Sequence, residues 1–303
     1  MTRLLGADVG GSHHSVAIAR SDLTILARAE GPGIVMRAGR GVEAAGVIAE
    51  VARRAAAQSG GALPVDLAVI GAAGAGREPE QRELARELEG RGVARSVTVR
   101  GDGEIALVAA FGISSPGGIF VNAGTGSIAY ARDPGGTLHR SGGYGWQLGD
   151  VGGGYWLGRR TLEIAGQAHD GQVQGSALLA RVLGALGLPE FDGLVRWAAA
   201  ASPAQVAGLA PHLLQAARDA DPLAQRLVAE AAAALVALVG VLAPRFPAGE
   251  PVAVATGGGL LAPGSPLADA FRVELARVVP RARLTGSRVD PVVGALRLAA
   301  AGA

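Results

Sequence analysis

The sequence predicts an α/β protein built as two related lobes, and three observations predict it. First, a segment near the N-terminus recurs in outline later in the chain. "LLGADVGGSHHSVAIARSDLTILARA" (4–29) and "GIFVNAGTGSIAYARDPGGTLHRSG" (118–142) each read as an apolar strand, a glycine turn, a second strand, a polar turn and a third strand. Second, both meanders turn at glycines between β-like segments. Third, each is followed by helix-forming sequence, so strands and helices mix within each half.

The elements follow in order. "GVEAAGVIAEVARRAAAQSG" (41–60) carries helix formers and stops at paired glycines. "VDLAVIGAAGAG" is a strand ending in a glycine loop, and "REPEQRELARELEG" a polar amphipathic helix. "SVTVRGD" and "GEIALVAAFG" read as a further strand and helix. Beyond Gly142 the pattern is mostly helical, with helices expected over 156–168, 176–186, 191–200, 203–219 and 222–242. Asp221-Pro222 is an N-cap and first-turn pair. "PVAVATGGG" is a late strand with a glycine loop, and "PVVGALRLAAA" a closing helix. The expected division is a first lobe over 1–114, a second over 115–288, and a last helix over 289–303 that returns to the first lobe.

Composition narrows the chemistry. The chain has 303 residues, 49% hydrophobic and 18% charged, enough to bury a sizeable core. It contains no cysteine, which excludes disulfides, Cys-ligated zinc, iron–sulfur clusters and thiol nucleophiles. The net charge is +2, every basic residue is Arg, and aromatics make up 4%; no dense basic run suggests nucleic acid. The N-terminus lacks a signal-peptide pattern. The apolar stretch 231–244 is shorter than a membrane span and reads as a core helix.

"GADVGGSHHSVAIAR" poses a question of charge. Gly10 and Gly11 let backbone N–H groups approach a phosphate, and the Ser12 hydroxyl adds a donor. A dinucleotide-binding fingerprint would run into a helix, whereas this turn runs into a strand. A Walker A loop would need a Lys. The turn therefore reads as a β-hairpin phosphate loop. Asp8, two residues before the glycines, would repel a bare phosphate but would attract one that arrives with Mg²⁺. The alternative is that Asp8 only caps a tight turn. "VNAGTGSIA" offers Gly124, Thr125 and Gly126 at the equivalent place without an acid.

Together, "ADVGGSHHSVAIA", "NAGTGSIAYAR", "GGYGWQLGDVGGGYWLGRRTLE" and "VAVATGGGLL" resemble the BadF/BadG/BcrA/BcrD-type ATPase family and, within it, amino-sugar kinases such as N-acetylglucosamine kinase. The resemblance covers nearly the whole chain in the right order. It implies the duplicated actin-like, ribonuclease H-like fold of the actin, heat-shock-protein and sugar-kinase superfamily, with an interlobe nucleotide cleft. It implies phosphate motifs at Gly10, Gly11 and Ser12 and at Gly124, Thr125 and Gly126, and an adenosine motif at Gly257, Gly258 and Gly259. The last could otherwise be a plain strand-to-helix turn.

Asp102 stands after a strand and before a helix. Read locally it is an N-cap; an ionised acid at a helix start could also take a proton from a hydroxyl. The resemblance makes it the catalytic base, in contact with the sugar. It also implies sugar contacts from Gly143, Tyr144, Gly145 and Asp150. The chain departs from the family at Tyr144, where Trp is common, at Val151, where Glu is common, and in loop 34–37, which lacks a common Asn. His13 and His14, adjacent on a strand, should point to opposite faces.

The implied activity is ATP- and Mg²⁺-dependent phosphorylation of an amino sugar, N-acetylglucosamine to its 6-phosphate, with glucosamine or another hexose as the alternative. A radical-enzyme activator of the same family would need a Cys-ligated cluster. A non-catalytic nucleotide-binding module would not need Asp102 or the sugar loop. The expectation is a cytoplasmic homodimer that binds a sugar and ATP, without nucleic-acid or membrane partners.

Overall fold

The computed structural model describes residues 2–114, 117–286 and 289–302. In chain order, its first elements are β1 (Arg3–Val9), β2 (His13–Arg20), β3 (Ile25–Pro32), α1 (Gly41–Gln58), β4 (Val65–Ala72), α2 (Glu78–Gly90), β5 (Ala94–Gly101) and α3 (Asp102–Phe111). The second meander follows as β6 (Gly118–Ala123), β7 (Ser127–Arg132) and β8 (Leu138–Gly142). Helices α4 (Gly154–His169), α5 (Leu178–Leu186), α6 (Phe191–Ala200), α7 (Pro203–Ala207), α8 (Ala210–Arg218) and α9 (Pro222–Leu242) come next. The chain ends with β9 (Val252–Gly257), α10 (Pro266–Val278), β10 (Ala282–Leu284) and α11 (Pro291–Ala300).

The chain forms two compact units, one of residues 1–117 with 289–303 and one of residues 118–288. The boundaries expected at 114/115 and 288/289 abut residues 115, 116, 287 and 288, which lie outside the described residues. Each unit holds one five-stranded sheet, of order β3-β2-β1-β4-β5 in the first and β10-β9-β6-β7-β8 in the second. The two sheets have one topology. In the first, β1 is antiparallel to β2 and parallel to β4; in the second, β6 is antiparallel to β7 and parallel to β9.

In the first unit both faces of the sheet are covered, which explains why β1 reads as a near-continuous apolar run. Leu5, Ala7 and Val9 pack with Ala45, Ile48 and Ala52 of α1, whereas Leu4 packs with Ile105 of α3 and Val292 and Leu296 of α11. The last helix is further tied to α3 by Arg297, whose Nη1 donates to the carbonyls of Val108 (3.1 Å) and Ala109 (3.0 Å). A cation there satisfies late carbonyls of the helix that begins at Asp102.

In the second unit, α9 is the central helix. Asp221 caps it by accepting from the amides of Leu223 (3.1 Å) and Ala224 (3.0 Å). Leu227, Leu235 and Val239 are buried in the unit's core with Ile119 and Val121 of β6. The apolar stretch 231–244, expected as a core helix, is one, and it belongs to a longer helix than the stretch itself. From Pro222 to Arg245 the helix and its final turn run for 24 residues, and an 18-residue window within them has a mean hydropathy of 2.2, enough to cross a membrane by length and composition alone; half of that window is buried inside the protein. Its inward face is already used by the unit's own core.

The helix expected over 203–219 is two helices. Pro211 has no N–H to give the Ala207 carbonyl, and its ring crowds that carbonyl, so the chain breaks between α7 and α8. Ser202 and Gln205 form a capping box that starts α7. Helix α10 and strand β10 went unread. Ser265-Pro266 followed by buried Leu267, Phe271 and Leu275 was a legible start and stripe for α10, while β10 is three residues long, too short to show alternation.

Candidate active site

The first glycine turn, the expected site of phosphate contact, joins β1 to β2. Gly10 N donates to His13 O (3.1 Å), closing a tight hairpin that leaves Gly11 and Ser12 exposed. Asp8 stands near the end of β1, across from Ser15 on β2 and Gly71 on β4. Its carboxyl is pushed up to about 7, first by burial and then by the negative charges of Asp102 and Asp290; Arg28 works in the opposite direction.

Asp102 is the first residue of α3, and Gly101 at the end of β5 is the N-cap. The local reading of Asp102 as the cap itself is corrected by one position. Its Oδ1 accepts from Gly103 N at 2.9 Å. With Glu104 it places negative charge in the first helical turn, where the free N–H groups favour it.

Asp290 was missed. The Asp-Pro pair before an apolar helix was a legible start signal, and Asp290 does cap α11 by accepting from Val292 N (3.2 Å). Its other oxygen pairs with Arg28 Nη2 at 2.5 Å. Three acids and one cation from four elements of the first unit therefore share one electrostatic neighbourhood. Among the described residues no group of three or more His, Asp or Glu side chains is placed to hold a metal ion. A cation beside Asp8 would thus take most of its ligands from water and phosphate, the habit of Mg²⁺ rather than of a structural metal.

The adjacent histidines part as expected: His13 is exposed and His14 is fully buried.

The second glycine turn, likewise expected to contact phosphate, joins β6 to β7, closed by Gly124 N to Gly126 O (3.0 Å). The start of α4 docks on it, with Gly154 N donating to Gly124 O (2.8 Å) and Tyr155 N to Thr125 O (2.9 Å). Gly124, Thr125 and Gly154 form one wall of a cavity of about 550 Å³ within the second unit. Ala207, Gly208 and Pro211 at the α7–α8 break form another wall, and Gly259, Leu260 and Ala262 a third. The size suits a drug-sized or nucleoside ligand, and the lining is mostly apolar. Of the three adenosine-motif glycines, Gly259 lines this cavity; Gly257 and Gly258 pack instead on the end of β6. A Cβ on Gly258, which has φ +82°, would lie 2.2 Å from the Ala123 carbonyl oxygen.

The loop after β8 carries Gly143, Tyr144, Gly145 and Asp150. Tyr144 is 60% exposed, with the Arg140 guanidinium 4.9 Å from its ring centroid. Asp150 is bent into the left-handed region at φ +54° and accepts from Gly145 N at 3.3 Å. Burial raises its pKa, and that hydrogen bond opposes the rise. The loop is fastened to the second phosphate turn. A Cβ on Gly126 would lie 2.2 Å from Asp150 Oδ2, and Ser127 Oγ donates to Val151 O at 2.9 Å. The structure thus gathers Asp8 with Asp102 in the first unit, and Gly124, Thr125, Gly126, Gly145 and Asp150 in the second.

Duplicated sheets of one topology, each with a glycine hairpin at its β-meander, define an actin-like fold, and likeness to named sugar kinases over the full chain makes the protein an ATP-dependent sugar kinase of that fold. It belongs to the BadF/BadG/BcrA/BcrD ATPase family, whose profile it matches over residues 5–299. It is 29% identical to the N-acetylmuramic acid/N-acetylglucosamine kinase of Clostridium acetobutylicum, over 99% of this chain and 98% of that one. A crystal structure from Chromobacterium violaceum, provisionally named an N-acetylglucosamine kinase, superposes with a TM-score of 0.79 at 30% identity, covering 98% of this chain and 99% of that one. The fold extends to a ROK family glucokinase from Streptomyces griseus, with a TM-score of 0.64 at 21% identity and 98% of both chains covered.

Proposed function

We propose that the protein transfers the γ-phosphoryl group of ATP to the 6-hydroxyl of N-acetylglucosamine. The observation that carries the reading is Asp102: an acid at the start of α3, in the neighbourhood of a second acid beside a glycine phosphate turn, in a chain that matches an amino-sugar kinase over its full length. Asp102 accepts the proton of the sugar hydroxyl as that oxygen bonds to the γ-phosphorus. The bond from the γ-phosphorus to the bridging oxygen breaks, and ADP leaves. Gly10, Gly11 and Ser12 and the turn of Gly124, Thr125 and Gly126 hold phosphate oxygens. The cavity of the second unit, with Gly259 in its wall, takes the nucleoside. Mg²⁺ bound with ATP would supply neutralisation of the phosphate charge, with Asp8 holding it through water. Gly143, Tyr144, Gly145 and Asp150 contact the sugar, with Tyr144 offering a ring face and Asp150 an acceptor.

A second substrate, N-acetylmuramic acid, is favoured by one feature. Val151 is uncharged at the place where, by the resemblance, the family commonly has Glu, and Arg140 at the end of β8 lies over Tyr144. Losing a carboxylate and keeping a cation both suit the lactyl carboxylate of that sugar. A cytoplasmic homodimer belongs to the same proposal, and light scattering on the purified chain reads its oligomeric state.

The test is a coupled assay of ADP release over N-acetylglucosamine, N-acetylmuramic acid, glucosamine, N-acetylmannosamine and glucose. Highest kcat/KM with N-acetylglucosamine supports the reading. Preference for N-acetylmuramic acid replaces it with the second substrate, and no sugar-dependent ADP release rejects both.

A further inference from the structure

We propose that the segment 32–36 is a strap that sets the geometry of the first phosphate turn, with Gly33 and Ile34 as positioning residues that act through the turn's backbone. The proposal rests on the reading that this turn binds phosphate. It concerns the loop whose sequence departs from the family and to which no role was assigned.

A glycine-rich turn is by itself a poor anion cradle. Gly10 and Gly11 have wide conformational freedom, and a site that must order on binding gives up affinity to do so. The strap removes that freedom at three points. Its base is fastened by His14. This ring is fully buried, and its Nδ1 lies 2.6 Å from the Pro32 carbonyl oxygen. A carbonyl only accepts, so Nδ1 carries the hydrogen. Nε2 is then the unprotonated nitrogen, and it is buried without a partner. Burial lowers the pKa of the ring and favours its neutral form, while the bond to the Pro32 carbonyl opposes that shift.

From Pro32 the chain crosses directly over the turn. A Cβ on Gly33 would lie 2.4 Å from Gly11 C and from Ser12 N and C. All three are backbone atoms, which cannot swing aside as a flexible side chain would. The next residue is sewn to the turn: Ile34 N donates to Gly10 O at 2.9 Å. Beyond it the strap is anchored again. Met36 is 3% exposed, and its N–H donates to Ala73 O at 2.8 Å, while Ala73 N donates to Val9 O at 2.8 Å. Val9 immediately precedes the turn. Gly10 is therefore held from both sides, by its own hairpin and by three backbone hydrogen bonds, Ile34 to Gly10, Met36 to Ala73 and Ala73 to Val9, linked through the strap itself. Donors fixed before the ligand arrives are what an anion-binding turn needs.

The experiment compares Gly33→Ala, Ser12→Ala and a control, Gly46→Ala, at an exposed helical glycine with open space around it. Steady-state KM values for ATP and for N-acetylglucosamine are measured with thermal melting. Gly33→Ala should raise the KM for ATP by roughly 10- to 100-fold while the KM for the sugar stays unchanged, the size of effect a misplacement of about 1 Å produces. Gly46→Ala should match the parent. If Ser12→Ala weakens ATP and Gly33→Ala does not, the strap is overturned and the phosphate reading stands. If neither moves the KM for ATP, the phosphate reading falls and the strap with it. Should Gly33→Ala fail to fold, hydrogen exchange on the unmodified protein decides. The Ile34 amide should be protected, and more so with ATP; exchange at the rate of a free amide overturns the proposal.

Discussion

Asp102, at the first position of α3, adds its negative charge to the burial of Asp8 on β1, and together with Asp290 it pushes the Asp8 carboxyl up to about 7. The acid proposed to hold the metal therefore feels the charge of the acid proposed to take the proton. The nearest compensating cation, Arg28, is already paired with Asp290.

The stability consequence has a definite sign. The folded pKa of Asp8 lies above its unfolded value of 3.8, so the folded state binds this proton more tightly. The ionised carboxylate is a penalty that is fully present above about pH 7, is relieved as pH falls through that value, and is gone near 3.8. Asp8→Asn should accordingly stabilise the protein at about pH 8, by at most about 4 kcal/mol. The advantage should vanish near pH 4 on the same scale. Denaturant melts of both proteins across this range check it, and equal stability at every pH would remove the electrostatic account of Asp8. The same variant should lose activity, with partial rescue by added Mg²⁺.

Replacing Asp102 separates its two readings. The amide of Asp102→Asn cannot take a proton, so turnover should fall by roughly 10²- to 10⁴-fold while ATP binding and melting temperature persist. At the first helical position Asn loses only the charge–dipole attraction, about 0.3–1 kcal/mol, so a purely structural Asp102 would leave turnover near the parent value. Single-turnover kinetics with isothermal titration of ATP decides between them.

Gly126→Ala tests whether the second phosphate turn and the sugar loop work as one piece. The added Cβ would meet Asp150 Oδ2 and force that side chain away from the Gly145 amide. The KM values for ATP and for sugar should then rise together. A rise in the ATP value alone would mean that Asp150 does not touch the sugar.

Ala262→Trp tests the nucleoside cavity. Ala262 is exposed at its wall, so a large ring can be added without disturbing the core. The KM for ATP should rise by about tenfold or more, as expected when a ring fills a ligand pocket, with melting temperature and sugar affinity unchanged. Unaltered ATP kinetics would show that the nucleotide binds elsewhere.

What the amino-acid order determined by itself was local. The two glycine hairpins, the strand-to-helix junction at Asp102 and the cap at Asp221 were legible because turns and caps are decided by the sterics and hydrogen bonding of a few neighbouring residues. The repeated meander pattern announced the duplicated sheet for the same reason. The tertiary structure alone decided the rest. Arg28 and Asp290 pair across 262 residues of sequence. The walls of the second unit's cavity come from two turns and a helix break that Pro211 imposes. The raised pKa of Asp8 comes from burial under several elements and from charges carried by two distant helix starts. Electrostatic fields and cavities depend on distance in space, and a sequence pattern reports distance only along the chain.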